Sequence, residues 1–395
     1  MLPSFEIENF RAFSQLRIGH LGGVNLVVGR NNVGKTMLLE AIRFYASGGN
    51  PTLLIDLLQD RDEILLGHHS DEEPRNAHLH FASLFFGREI TNGPDGAAIL
   101  QANQKDPSAI RVEVGLFRRI PSKQTPGRYH IEPVDETESD DLRVFQAISI
   151  LFGGNQIRFL PLDDLYRFRY RIPRNPQPDV PYEYSMPAFV PANGVDQKTL
   201  LRQWDSIALR DAAEDRVNQC LDIVAPVARI TAVEHSDRPH SRMFMVRMRG
   251  KNEPVPLKSV GDGMVHIFQI ALAVESAING WALPSPKVPK SLLPDFPPMH
   301  PAGVLLVDEL ENGVHFSILP KLWKFIFQAS RLNNVQVFAT THSWDCVEAF
   351  QTVAAEERDV EGALIRLEKS GDYNKAVTFS EEELAIVARD QIEVR

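Results

Sequence analysis

The chain has 395 residues, 43% of them hydrophobic and 24% charged, with a formal net charge of −10. That length supports two or three domain-sized units and a large core, and that charge excludes a general polycation, so a nucleic-acid contact would have to come from a local patch. The two cysteines, Cys220 and Cys346, match no metal-binding spacing. The opening residues carry no basic, apolar leader, and no uninterrupted apolar run approaches the about 18 residues of a membrane span, so the chain reads as cytoplasmic, with no membrane partner.

In chain order, Phe5, Ile7, Leu16 and Ile18 alternate with polar residues and predict two strands. Val24–Val28 is a short β-rich run ending on Gly29. From Lys35 to Tyr45 the apolar residues Met37, Leu38, Ala41, Ile42 and Tyr45 take helical spacing. Residues 60–106 are mixed and polar. Strands are expected over Ala109–Leu116 and Tyr129–Ile131, and irregular or edge structure over the Pro-rich stretch 173–191. A single long helix is expected over Lys198–Val224, followed by strands at Ile230–Val233 and Met243–Met248. A helix over Gly263–Ile278 precedes a surface loop holding seven prolines, 284–301. Val304–Val307 predicts an apolar strand, Phe316–Ser330 a helix, and Val335–Ala339 another strand.

Three motifs carry chemistry. Gly29-Arg30-Asn31-Asn32-Val33-Gly34-Lys35-Thr36 stands between a strand and a helix. In that setting the backbone N–H groups cradle phosphates, Lys35 supplies a point charge to them, and the Thr36 hydroxyl serves Mg2+. The apolar run Val304–Val307 delivers Asp308 and Glu309 to a strand's carboxyl end, where Asp308 can serve the metal and Glu309 can act as general base toward water. A third strand ends in Thr340-Thr341-His342-Ser343, placing His342 to sense a terminal phosphate. A weaker signal, Ser259-Val260-Gly261-Asp262-Gly263, precedes a helix and could form a second anion nest or a plain cap.

Taken in this order, the motifs resemble those of the ABC-type ATPases, in the branch that holds the SMC, RecF and OLD proteins. Ile7-Glu8-Asn9-Phe10-Arg11-Ala12-Phe13 looks like the opening strand-turn of that branch, and Asp308-Glu309-Leu310-Glu311-Asn312-Gly313-Val314-His315 is similar to its OLD-like subgroup. The resemblance implies an α/β P-loop NTPase fold of the ABC-ATPase head type, a mixed β-sheet with flanking helices and an inserted α+β or helical region. It divides the chain into residues 1–105 and 256–395 as the two parts of the head, with 106–255 inserted for dimerisation or for partner or nucleic-acid contact. It further implies ATP and Mg2+ as cofactors, Lys35, Glu309 and His342 as the catalytic set, and Arg11 touching the nucleotide. Ser259, Gly261 and Gly263 would complete the site of a second head in a homodimer or higher homo-oligomer. About 50 residues follow His342, too few for the nuclease domain of full OLD proteins. The resemblance therefore implies a separate nuclease or effector partner in DNA repair or anti-phage defence.

Two alternatives stand beside this reading: a scaffold that holds ATP with little turnover, and a transporter ATPase subunit. Arg167, Arg169 and Arg171 alternate with Phe168 and Tyr170. On a strand they would share one face, and such a row could track a nucleic-acid backbone or form a solvated basic face.

Overall fold

The structure, a computed structural model, describes residues 1–63, 81–121, 129–134, 144–161, 187–208, 210–234, 241–279, 303–371, 373–379 and 383. The chain opens with a hairpin of β1 (Phe5–Phe10) and β2 (Phe13–Ile18), in which Phe10 pairs with Phe13 across a two-residue turn. Phe5, Ile7, Phe10, Phe13, Leu16 and Ile18 are all buried, which pins the register, because a one-residue slip would turn every one of them to solvent. β3 (Val24–Val28) is buried along its whole length and feeds the glycine loop. α1 (Lys35–Ala46) follows, then α2 (Pro51–Gln59).

The hairpin belongs to a seven-stranded antiparallel sheet with β4 (Ala98–Gln101), β5 (Ile110–Pro121), β6 (Tyr129–Val134), β7 (Val144–Phe152) and β8 (Asn155–Pro161). Its order is β2-β1-β4-β5-β7-β8, with β6 also on β5. The expected line at 105/106 runs between β4 and β5, whose backbones pair from Ala98↔Val112 to Leu100↔Ile110, so this sheet crosses it.

The second large sheet is made of β9 (Ala188–Val190), β3, β13 (Val304–Val307), β14 (Gln336–Thr340), β15 (Gly362–Ser370) and β16 (Tyr373–Phe379), in the order β16-β15-β3-β14-β13-β9. Its pairs from β15 to β9 are parallel, and β16 closes the edge antiparallel. Between these strands lie α3 (Gln197–Ile207), α4 (Asp211–Leu221), the three-stranded sheet of β10 (Val227–Glu234), β11 (Arg242–Met248) and β12 (Val255–Pro256), and α5 (Asp262–Asn279). α6 (Leu319–Asn333) joins β13 to β14, and α7 (Trp344–Glu356) joins β14 to β15.

Strand alternation divides this parallel sheet between two cores. Leu26, Leu305, Val307, Val337 and Ala339 face one core with α3 to α7. Val27, Leu306, Phe338 and Ile365 face the other, with α1, α2 and the antiparallel sheet. α1 thus lies between the two large sheets, and the carboxyl ends of β3, β13 and β14 are held side by side. This is an α/β P-loop fold.

Several elements depart from the sequence expectation. The single helix over 198–224 is two helices, because Ala208 takes ψ 137 after α3. Leu200, Trp204 and Ile207 are buried from the first helix, and Ala213, Val217 and Leu221 from the second. At about 100° per residue, a straight helix would put Trp204 and Val217 on nearly opposite faces. The break lets both sets reach one core. α2, just ahead of the stretch read as mixed and polar, has no counterpart in the sequence expectation, whereas β9, inside the Pro-rich stretch, is the edge strand of the parallel sheet, in keeping with the edge structure expected there. The predicted loop over 284–301 and the arginines Arg167, Arg169 and Arg171 lie outside the described residues.

Candidate active site

The loop after β3 turns sharply into α1. Gly34 caps that helix at φ 104, and a Cβ there would lie 2.9 Å from the ring of Phe13. Only glycine accepts both the angle and the space. Arg30, Asn31 and Asn32 are exposed along the loop, and Val33 is buried beneath it. Asn374, at the start of β16, donates from Nδ2 to the Val33 carbonyl at 3.0 Å. Lys35 curls back into its own loop, donating from Nζ to the carbonyls of Gly29 at 2.8 Å and Arg30 at 3.3 Å. Burial pushes its pKa below the ordinary lysine value, while Asp308, Glu309 and Glu311 pull it back up. Three carboxylates of the neighbouring strand loop therefore act electrostatically on this ammonium.

From Thr36 a chain of hydroxyls and carboxylates runs across the strand ends. Thr36 Oγ1 donates to Asp308 Oδ2 at 2.8 Å, and Thr340 Oγ1 donates to Asp308 Oδ1 at 2.5 Å. The Thr340 oxygen also accepts the backbone N–H of Glu309 at 2.9 Å. Glu309 sits at φ 54, an angle that costs a non-glycine residue about 1–3 kcal/mol unless its surroundings hold it. Thr340 holds it twice over, since the Thr340 carbonyl also accepts the N–H of Leu310 at 3.1 Å.

His342 follows two residues later. Its Nδ1 lies 3.7 Å from Glu309 Oε1 and 3.4 Å from Glu311 Oε1. Its backbone N–H donates to Glu311 Oε1 at 3.0 Å. The structure thus gathers Lys35, Thr36, Asp308, Glu309 and His342 at one edge of the parallel sheet. Sequence reasoning missed Thr340 and Glu311. The hydroxyl ending β14 and the second acid of Asp308-Glu309-Leu310-Glu311 were the available signals.

The predicted signature lies beside the same strand loop. Ser259 and Gly261 are exposed just ahead of α5. Gly263, in its first turn, packs on that loop: a Cβ on it would meet the Gly313 carbonyl oxygen at 2.4 Å. The glycine is therefore needed within its own chain, whatever it does toward another. One turn on, His266 Nε2 lies 3.2 Å from the Leu310 carbonyl. Burial pushes the His266 pKa down, against the Leu310 carbonyl and Glu311.

Arg11, expected to touch the nucleotide, is buried against acidic residues. Its side chain is 1% exposed and faces Glu40 of α1 and Glu63. It also donates to the carbonyls of Ser83 at 3.2 Å and Leu57 at 3.1 Å. Burial pushes the Glu40 carboxyl up, and the cations of Arg11 and Arg61 oppose that rise. Arg11 ties the hairpin turn to the back of the phosphate-loop helix. The two terminal nitrogens of this enclosed guanidinium donate to protein oxygens.

Comparison with known proteins agrees with this geometry. A family model described as "AAA ATPase domain" matches residues 1–72, and one described as "AAA domain, putative AbiEii toxin, Type IV TA system" matches residues 197–345. The chain is a P-loop ATPase. An "ATP/GTP phosphatase" of Helicobacter pylori is 22% identical over 373 residues, covering 90% of this ATPase and 89% of the relative. An uncharacterised protein of Methanocaldococcus jannaschii is 36% identical over 67 residues, which is 17% of this chain and 29% of that one. Among solved structures, an SMC head bound to the C-terminal winged-helix domain of ScpA aligns at TM-score 0.47 and 12% identity, covering 96% of this chain and 98% of that one. The SMC head of Thermotoga maritima aligns at TM-score 0.45 and 12% identity, covering 96% and 99%. Among the described residues of the ATPase, no helix is long and apolar enough to cross a membrane.

Proposed function

We propose that this ATPase works as one head of a pair, and that its turnover switches a separate protein partner. The chain of contacts Thr36–Asp308–Thr340–Glu309 supports the turnover in this reading, because it holds an oxygen pair suited to a metal beside a carboxylate suited to act as base. Thr36 and Asp308 suit Mg2+, a hard cation that needs few protein oxygens and fills its remaining positions with water and phosphate. When bound, the ion would neutralise charge on the phosphates. Lys35 and the loop N–H groups would hold the β- and γ-phosphates, with the ammonium exchanging its loop carbonyls for phosphate oxygens. Glu309, 39% exposed in its side chain, would accept a proton from the attacking water. His342 would contact the terminal phosphate. The "ATP/GTP phosphatase" relative supports hydrolysis of a nucleoside triphosphate.

Ser259 and Gly261 stand exposed at the edge of the site and would be presented to a second copy. Each head then supplies Lys35, Asp308 and Glu309 to one nucleotide and Ser259 to the other. The partner would be a nuclease or effector in DNA repair or anti-phage defence, a role that rests on the OLD-like motif wording. Mixing two inactive variants tests the shared site. Lys35→Ala and Ser259→Arg should each be inactive alone. Mixed, they should regain turnover, because the mixed dimer holds one intact pairing of Lys35 with Ser259. A mixture no more active than its two components would overturn the shared site.

A further inference from the structure

We propose that Glu311 is a positioning residue for His342, accepting a hydrogen bond from the Nδ1–H of the imidazole so that Glu309 stays free to receive the proton of water. The proposal rests on the roles given above to Glu309 and His342.

Glu311 stands on a braced stretch of backbone. Both polar groups of Leu310 are engaged, its N–H by the Thr340 carbonyl at 3.1 Å and its carbonyl by His266 at 3.2 Å. Beyond Glu311, the backbone N–H of Asn312 returns to the Glu309 carbonyl at 2.9 Å, and the Asn312 side chain donates to the Ala192 carbonyl at 2.6 Å. A carboxylate carried on such a platform has little freedom to follow its partner. Its partner must come to it.

His342 does so through two atoms. Its backbone N–H donates to Glu311 Oε1 at 3.0 Å, and its Nδ1 lies 3.4 Å from the same oxygen. Glu309 also faces Nδ1, at 3.7 Å. One imidazole N–H serves one acceptor at a time, so the two carboxylates compete for it. Their exposures decide the contest. The Glu311 side chain is 12% exposed and that of Glu309 39%. Water competes for the Glu309 oxygens and hardly for those of Glu311. The less hydrated acceptor gains more from a protein donor. Among the described residues, moreover, Glu311 Oε2 is buried with no hydrogen-bond partner, so this carboxylate has unused acceptor capacity beside the ring. With Nδ1–H given to Glu311, Nε2 is the ring nitrogen left for the cleft. Two acids in one motif then hold two tasks: Glu311 aims the histidine, and Glu309 handles the proton.

The test is a double-mutant cycle on the full chain, read as phosphate release across an ATP titration. Glu311→Gln keeps the size of the side chain and removes its charge. It should lower kcat about tenfold or more with KM for ATP within about twofold. In a His342→Ala background the same change should cost less than about twofold further, because the group being aimed is gone. Glu311→Asp, which keeps the charge and withdraws it by one carbon, should give the same pattern with a smaller loss. An equal loss in both backgrounds, an unchanged kcat, or a raised KM with kcat intact would each overturn the role. Glu309→Gln, run alongside, judges the general base separately. If it retains turnover, the assignment of Glu309 fails, while the cycle still decides whether Glu311 acts through His342.

Discussion

Thr340→Val removes one hydroxyl at nearly constant shape, and the structure says how much that hydroxyl holds. Thr340 is fully buried. Its Oγ1 donates to the Asp308 carboxylate at 2.5 Å and accepts the Glu309 N–H at 2.9 Å. A hydrogen bond to a charged group contributes about 1.5–3 kcal/mol, and a buried N–H left without an acceptor costs about 1–3 kcal/mol. Asp308 keeps its bond from Thr36, so the net loss should lie in the lower part of that sum, about 2.5–4 kcal/mol. That loss is comparable to the about 1–3 kcal/mol needed to keep Glu309 at φ 54. Without the hydroxyl, Glu309 is free to relax, and a base displaced by about 1 Å loses about a hundredfold in rate. Steady-state phosphate release should therefore fall about 10–100-fold in Thr340→Val. Binding of a fluorescent ATP analogue should stay within about threefold, because the phosphate loop is untouched. Thr340→Ser, which keeps the hydroxyl, should stay near wild type. Equal turnover in the valine and serine variants would refute the idea that this hydroxyl sets the catalytic geometry.

Other outcomes follow from the buried charges. Arg11→Met should destabilise the protein by about 3 kcal/mol, seen as a lower urea midpoint, because it leaves Glu40 and Glu63 short of a buried cation. An unchanged midpoint would refute the bracing role, and a weakened ATP affinity at unchanged stability would favour the nucleotide contact read from the sequence. His266 gives a pH dependence. Burial holds its folded pKa below the ordinary histidine value of about 6.5. The stability it contributes is therefore complete above that pH and is lost as pH falls below it toward the folded value. Between pH 7 and 5.5 the urea midpoint should drop further in the native protein than in His266→Gln, whose amide can still donate to the Leu310 carbonyl. Parallel pH profiles would contradict this.

The sequence exposed the catalytic strands more fully than the rest of the fold. Val304–Val307 is an unbroken apolar run, and Val24–Val28 is apolar but for the buried Asn25, because both strands lie between two cores. Motifs on such strands carry their own context, which is why Lys35, Thr36, Asp308, Glu309 and His342 were readable together. β15 pairs with β3 and β7 with β5, neither of them the preceding strand, and periodicity carries no record of such a partner. The continuous helix over 198–224 failed because each half is amphipathic, while the change of phase between Ile207 and Ala213 shows only once a common core is present. Arg11 was read as a nucleotide contact because an arginine beside a phosphate-loop motif suggests phosphate. Its actual partners, Glu40 and Glu63, stand on other segments. Thr340 and Glu311 are ordinary residues in a sequence. They became visible when β13 and β14 were laid side by side at Val304↔Gln336.

Glu309→Gln tests the central claim most directly, with a single-turnover measurement of phosphate release beside a direct measurement of ATP binding. The variant should bind ATP within about twofold of wild type and release phosphate about a hundredfold or more slowly, within the range a general base supplies. Phosphate release at the wild-type rate would contradict the account, because Glu309 could not then be the base that activates water at this site.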